Sequence, residues 1–158
     1  MVMTADYEGL ATELLQVNGA LLQLPALHLQ VRLNQGEPFV LNYLLLHHQA
    51  HPVELSRSGA VSSARIAALL GRLEDKGYIT RGPDPLNNRQ VIVTLSPKGL
   101  EVIQSFRAQV LRSTAQMLSL LGPEDAKEFI RLRRKTLRLI LIPEPHFSCA
   151  YYVYLELV

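Results

Sequence analysis

The sequence predicts a mainly α-helical chain carrying one small β-hairpin, on three features of its 158 residues. Apolar residues recur at spacings of three and four in two long stretches, one near each end, as helices with one sticky face require. Between them, a serine cap precedes a helix with a four-point apolar stripe. Two runs of β-branched and aromatic residues then flank a loop dense in Gly, Pro, Asp and Asn.

The elements follow in order. The first seam runs Leu10, Leu14, Val17, Leu21, Leu24, His28 and Val31, and Pro25 inside it removes a backbone donor, which predicts a kink or break just before it. Gly36 ends this segment. Pro38 suits a first helical position, and Phe39 to Gln49 reads as a second, shorter helix stopped by Pro52. A short helix beginning at Leu55 ends at Ser58 and Gly59. Ser62 caps the next helix, in which Ile66, Leu69, Leu70 and Leu73 obey the i, i+3, i+4, i+7 rule, and Gly77 is placed to stop it.

Tyr78 to Arg81 and Gln90 to Leu95 read as the strands of a hairpin whose tip is Gly82 to Arg89. Ser96 and Pro97 give a cap and a first turn for a helix with the seam Ile103, Phe106, Val110, Ser113, Met117 and Leu120. Gly122 and Pro123 interrupt it. Glu124 and Asp125 then open a third long helix that carries Arg134, Lys135 and Arg138 near its end, so charge and helix dipole agree. The tail His146 to Val158, with Cys149, reads as a strand or an adhering segment of unassigned role.

Composition narrows the function. At 48% hydrophobic and 19% charged the chain is a globular domain and not a disordered tail. Its longest apolar runs, such as Leu139 to Ile142, fall far short of the roughly 20 residues of a membrane span, so no membrane partner is expected. Asp6, Glu8 and Glu13 stand where a secretory signal would be basic and then apolar, which predicts a cytoplasmic location. A single cysteine allows no intrachain disulfide and no cysteine-rich zinc site, and fits a reducing compartment.

No Gly-rich phosphate loop, GxSxG elbow, HExxH or paired carboxylates are present, so catalysis and a bound cofactor are not expected. His47 and His51 are four apart with His48 between them, but Pro52 signals the end of that helix and no acid or cysteine completes a ligand set, so no metal site is expected. Cys149 lacks a basic sequence neighbour other than His146, which argues against redox sensing.

A formal charge of +2 is too mild to establish a nucleic-acid partner by itself. Its distribution is more telling. Between Glu54 and Gly99, seven bases stand against four acids, so this segment carries +3 and exceeds the whole chain.

A short helix, a tight turn, a capped helix and then a hairpin with a basic tip is the order of a winged helix-turn-helix. The run from Glu54 to Gly99 resembles the DNA-binding core of the MarR family of bacterial transcriptional regulators. The marks are RLEDKGYI at Arg72 to Ile79, the pair Asp84-Pro85, Arg89 before a strand, and the run Thr94 to Gly99. With the flanking helices, the resemblance covers Leu10 to Ile142. It implies N-terminal and C-terminal dimerisation helices at 1–36 and 100–142, a winged core at 37–99 and a tail at 143–158. It also implies a homodimer on double-stranded, palindromic operator DNA, with a recognition helix in the major groove and a wing near the minor groove. Action as a repressor is family habit. The two end seams support the dimer independently, since neither finds a partner within the winged core.

Opposite the buried stripe, the second helix of the motif presents Ala64, Ala68, Gly71 and Asp75, with Arg65 and Arg72 on one flank. Small residues let that helix approach base edges. Ala64 or Ala68 can meet a thymine methyl, Arg65 can read a guanine, and Ser62 or Ser63 can bond a base or a phosphate. Arg81, Asn88 and Arg89 are the wing candidates. Where the family pattern has an Asp holding the wing arginine, this chain has Asn87, which accepts a hydrogen bond but forms no ion pair, so a less firmly held Arg89 is expected.

The resemblance also implies release by a small, often aromatic effector, for which His28, Arg32, Tyr43 and His47 are candidate cavity residues. A different class stays open: a winged helix that serves protein assembly without sequence-specific DNA binding. Such a module would show an apolar exposed face on the same helix.

Overall fold

The computed structural model describes residues 6–23, 29 and 31–140. Pro25 with its expected kink, Leu24 and His28 of the first seam, and the tail with Cys149 lie outside the described residues. The first helix, α1, spans Tyr7–Leu21 and opens where Asp6 Oδ1 accepts the Gly9 N–H at 3.0 Å. No residue of α1 is buried, so Leu10, Leu14 and Val17 remain open to solvent within the single chain.

Helix α2 spans Gly36–His47. It starts two residues before Pro38, which therefore sits in the first turn, where its missing N–H would have had no helical partner anyway. Val40, Leu41 and Leu44 face the core, and the buried Asn42 accepts from Arg107 Nη1 at 3.1 Å. The helix stops at His47 and not at Gln49. His48, at φ 67°, turns the chain into a two-residue strand, β1 (Gln49–Ala50). Pro52 opens the next helix instead of ending the last one: α3 spans Pro52–Ser58, with the proline at a position whose φ and lost donor suit it.

Helix α4, Ser63–Asp75, is capped as expected by Ser62, whose Oγ accepts the Arg65 N–H at 3.3 Å. Ile66, Leu69, Leu70 and Leu73 are buried. Gly77 ends it at φ +71°, a conformation that penalises a side chain, while Tyr78 N–H reaches Leu73 O at 2.9 Å and Gly77 N–H reaches Glu74 O at 2.8 Å. These are the two bonds of a Schellman closure.

Strands β2 (Ile79–Asp84) and β3 (Asn87–Leu95) are longer than the residue pattern suggests, leaving only Pro85 and Leu86 between them. The sheet order is β1-β3-β2, all antiparallel. Pro83 pairs with Val91 but Asp84 with Asn87, so Asn88 to Gln90 intervene on β3 where nothing intervenes on β2. Turn-forming residues are absorbed into the ladder at this register shift.

Helix α5 spans Pro97–Leu121 and α6 spans Pro123–Ile140, parted at Gly122 with φ +77°. Ser96 Oγ accepts the Gly99 N–H at 3.0 Å. A methyl group on Gly99 would fall on the Tyr78 carbonyl oxygen, so glycine is what lets α5 lie against the end of α4. Ile103, one turn on, is fully buried. A single core thus joins Val40, Leu44, Leu55, Ile66, Leu70, Leu73, Ile79, Val93 and Ile103, drawn from α2, α3, α4, the sheet and α5. Among the described residues, no helix is long and apolar enough to cross a membrane.

Candidate nucleic-acid interface

Burial of one face of α4 dictates what the other face shows. With Ile66, Leu69, Leu70 and Leu73 in the core, Ser63, Ala64, Arg65 and Ala68 are exposed and Gly71 is half-buried. No exposed side chain between Ser62 and Ala68 is apolar and larger than alanine. Ser62 has one oxygen lone pair engaged by the helix cap and is itself exposed at the helix N-terminus, where backbone N–H groups and the dipole favour an anion.

Arg72 and Arg81 are held differently. Arg72 Nε lies 3.3 Å from Glu37 Oε1, and Lys76 Nζ lies 2.6 Å from Glu37 Oε2, so one carboxylate on α2 clamps two bases on the flank of α4. Arg81 Nε lies 3.0 Å from Glu74 Oε2 and ties β2 to the last turn of α4. Lys98 Nζ donates to Lys76 O at 2.9 Å and stands 5.2 Å above the Tyr78 ring, which fixes the same helix end to α5. The angle of α4 is therefore set from two sides by charged contacts.

The Lys76 hydrogen bond, with that of Arg72 and the attraction of both cations, holds the Glu37 carboxyl below its ordinary range against the opposing effect of burial. A group lowered in this way stabilises the fold above its unfolded value near 4.5 and loses that contribution as pH falls through its folded value. Glu37→Gln should accordingly cost about 1 kcal/mol at pH 7, since the site is partly solvent-screened. In urea unfolding the gap between the two proteins should close as pH falls below about 4.5; a gap constant down to pH 3 would show that charge is not what Glu37 contributes.

At the wing tip Asn88 and Arg89 are exposed. Asn87 Oδ1 accepts the backbone N–H of Arg89 at 3.2 Å, so the asparagine orders the arginine's main chain. Asp84 is buried; its Oδ1 accepts the Leu86 N–H at 2.8 Å, and its Oδ2 lies 3.4 Å from His51 Nε2. The role of His51 was hidden in the sequence, because its partners are 33 and 40 positions away. It does not share a helical face with His47, since β1 intervenes. Among the described residues, no group of three or more His, Cys, Asp or Glu could hold a metal ion.

A cleft of about 140 Å³ lies between α2, the start of β2 and α5, lined by Arg32, Glu37, Pro38, Leu41, Tyr78, Val102, Ile103 and Phe106. Of the candidate effector residues it contains Arg32. Tyr43 and His47 lie elsewhere on α2, their rings in contact at a 31° tilt with centroids 4.1 Å apart, and His28 lies outside the described residues.

No family model matches the chain. The uncharacterized helix-turn-helix-type transcriptional regulator YdgJ of Bacillus subtilis is 30% identical over 88 residues, and the match spans 54% of this chain and 54% of that protein, about half the length of each. Among solved structures, the YusO protein of B. subtilis superposes with a TM-score of 0.64 at 22% identity, covering 89% of this chain and 99% of that one. A MarR variant from E. coli, solved with operator DNA, gives a TM-score of 0.53 at 25% identity over 65% of this chain and 71% of that one. The chain has the MarR-family winged-helix fold. A Staphylococcus aureus MepR variant bound to an oligodeoxyribonucleotide shares the MarR fold too, with a TM-score of 0.56 at 18% identity over 83% of this chain and 97% of that one. In the terms of this MarR fold, α3 and α4 are the helix-turn-helix and β2–β3 the wing.

Proposed function

We propose that the chain is a DNA-binding transcriptional regulator, acting as a repressor, that grips a palindromic operator as a homodimer. The observation that carries this is the exposed face of α4: small or polar from Ser62 to Ala68 with Arg65 on its flank, beside a wing that holds Arg89 out. An assembly module would present apolar surface there. Ser62, Ser63, Ala64, Arg65 and Ala68 enter the major groove, and Asn88 and Arg89 the minor groove. Arg72 and Arg81 reach phosphate only by sharing themselves with Glu37 and Glu74, so they orient α4 first and contact DNA second.

Charge supports the homodimer. Residues 6–23 carry Asp6, Glu8 and Glu13 and no Lys or Arg, while α6 carries Lys127, Arg131, Arg133, Arg134, Lys135 and Arg138 against three acids. The exposed seam of α1 and the basic α6 of a second copy are complementary in both polarity and sign. A small aromatic effector occupies the cleft at Arg32, Glu37, Tyr78 and Phe106. A hydrogen-bond donor or cation carried by the effector engages Glu37, which loosens the clamp on Arg72 and Lys76 and shifts the angle of α4.

Fluorescence anisotropy tests the reading, using DNA from upstream of the chain's own gene and a scrambled duplex at two salt concentrations. Tight, salt-sensitive binding that favours the upstream DNA is expected. No binding even at low salt would overturn it in favour of the assembly module.

A further inference from the structure

The imidazole of His51 stands at the neck of the wing. Its Nδ1 is 3.0 Å from the Val91 carbonyl on β3 and its Nε2 is 3.4 Å from Asp84 Oδ2 on β2, so one ring touches both ends of the segment that holds Asn87, Asn88 and Arg89. This is also where the ladder changes register, the place at which strand pairing alone fixes the tip least. The main chain of His51 is anchored in turn: its N–H donates to Glu54 Oε2 at 2.6 Å, and its carbonyl accepts the Glu54 N–H at 3.0 Å. A ring mounted on the N-terminus of α3 therefore fastens the wing to the body of the helix-turn-helix.

The partners determine the proton count. A carbonyl oxygen and a carboxylate both accept and neither donates. A neutral imidazole has one N–H, so either tautomer leaves a ring lone pair facing an acceptor oxygen. Only the doubly protonated ring donates on both sides. The charged group that contacts the ring is Asp84 from β2; Glu54 of α3 bonds the His51 main-chain N–H, β3 presents the Val91 carbonyl, and β1, ending one residue earlier, brings only Gln49 and Ala50.

We propose that His51 is the positioning residue of the wing, its ring joining Asp84 to Val91 and so setting where Arg89 meets DNA. The inference rests on the DNA-binding reading for its functional consequence but not for the clamp itself. Imidazole is the side chain that ordinarily changes charge between pH 5 and 8, so a pH profile separates this role from simple packing.

The test has two readouts on the full chain and on two variants, His51→Gln and Asp84→Asn. His51 is partly exposed and the second change is isosteric, so at least one variant retains the fold, checked by circular dichroism. In the free protein, amide exchange at Asn87 to Val91, corrected for its intrinsic pH dependence, should slow about 5-fold between pH 7.5 and 6.0 in the wild type and stay flat in both variants. Operator affinity should tighten by a similar factor over the same range, and in both variants that gain should disappear. Equal pH responses in all three proteins would overturn the proposal. The expected exchange pattern with no DNA binding at any pH would establish the clamp and sink the DNA-binding reading instead.

Discussion

A Leu14→Lys chain is expected to fold normally, run as a monomer and bind its operator at least about 100-fold more weakly. Leu14 is 60% exposed in the single chain and lies in a helix that buries none of its residues, so the substitution breaks no contact of the fold. Any effect must come from a surface that the chain lends to something else. If that surface is the seam that meets the basic α6 of a second copy, an ammonium placed in it is desolvated and faces like charge, and the pairing fails. DNA then loses the second recognition helix, which in a dimer binds at the high effective concentration set by the first. Sedimentation velocity should show the wild type at twice the 17.7 kDa chain mass and the variant at that mass. An unchanged mass together with unchanged affinity would remove α1 from the dimer interface.

The parts of this fold that were legible beforehand are those in which a local signal and the tertiary outcome agree. Ser62, Gly77, Ser96 and Gly122 each mark a helix end by chemistry that needs no distant partner, and the four-point stripe of α4 has one sensible burial. The errors have a common cause. Pro38, read as opening a helix, does lie in a first turn, whereas Pro52, read as ending one, carries the same local message of a missing backbone N–H and opens a helix instead, because ending or opening is settled by neighbours outside the window. Strand β1 exists only because Thr94 and Val93 offer it a ladder; two residues have no period to read.

At the candidate interface the same division holds. Which side chains are exposed on α4 followed from the buried stripe, since a helix that commits one face to the core leaves the other by geometry. What those side chains are bonded to did not follow. Glu37 lies 35 positions from Arg72 and 39 from Lys76, and nothing in a single sequence pairs one glutamate with two particular bases at that separation. His51 and Asp84 are a similar case, with the added difficulty that His51 sits beside His47 and His48, where a metal-ligand pattern is the more obvious thought.

Arg89→Ala should weaken operator binding on the order of 10-fold per half-site, roughly 100-fold for a dimer engaged at both, and reduce the slope of log affinity against log salt by about one per subunit. The wing explains why the loss falls on charge and not on structure. Asn87 bonds the backbone N–H of Arg89, a contact that alanine keeps, and the guanidinium is exposed, so the variant retains the tip conformation while losing the cation. A narrow minor groove concentrates negative potential and so selects a cation at this point. Two companion substitutions sharpen the inference. Arg65→Ala, on the major-groove face, should cost a similar factor on the operator but much less on a scrambled duplex, because a base contact carries sequence information and a charge in the minor groove carries little. Asn87→Asp would place a carboxylate beside Arg89, and if an ion pair there aims the guanidinium, operator affinity should rise severalfold over wild type. Should Arg89→Ala leave both affinity and salt slope unchanged while Arg65→Ala abolishes preference, the wing would be a spectator, and α4 with its Glu37 clamp would be the entire reading head.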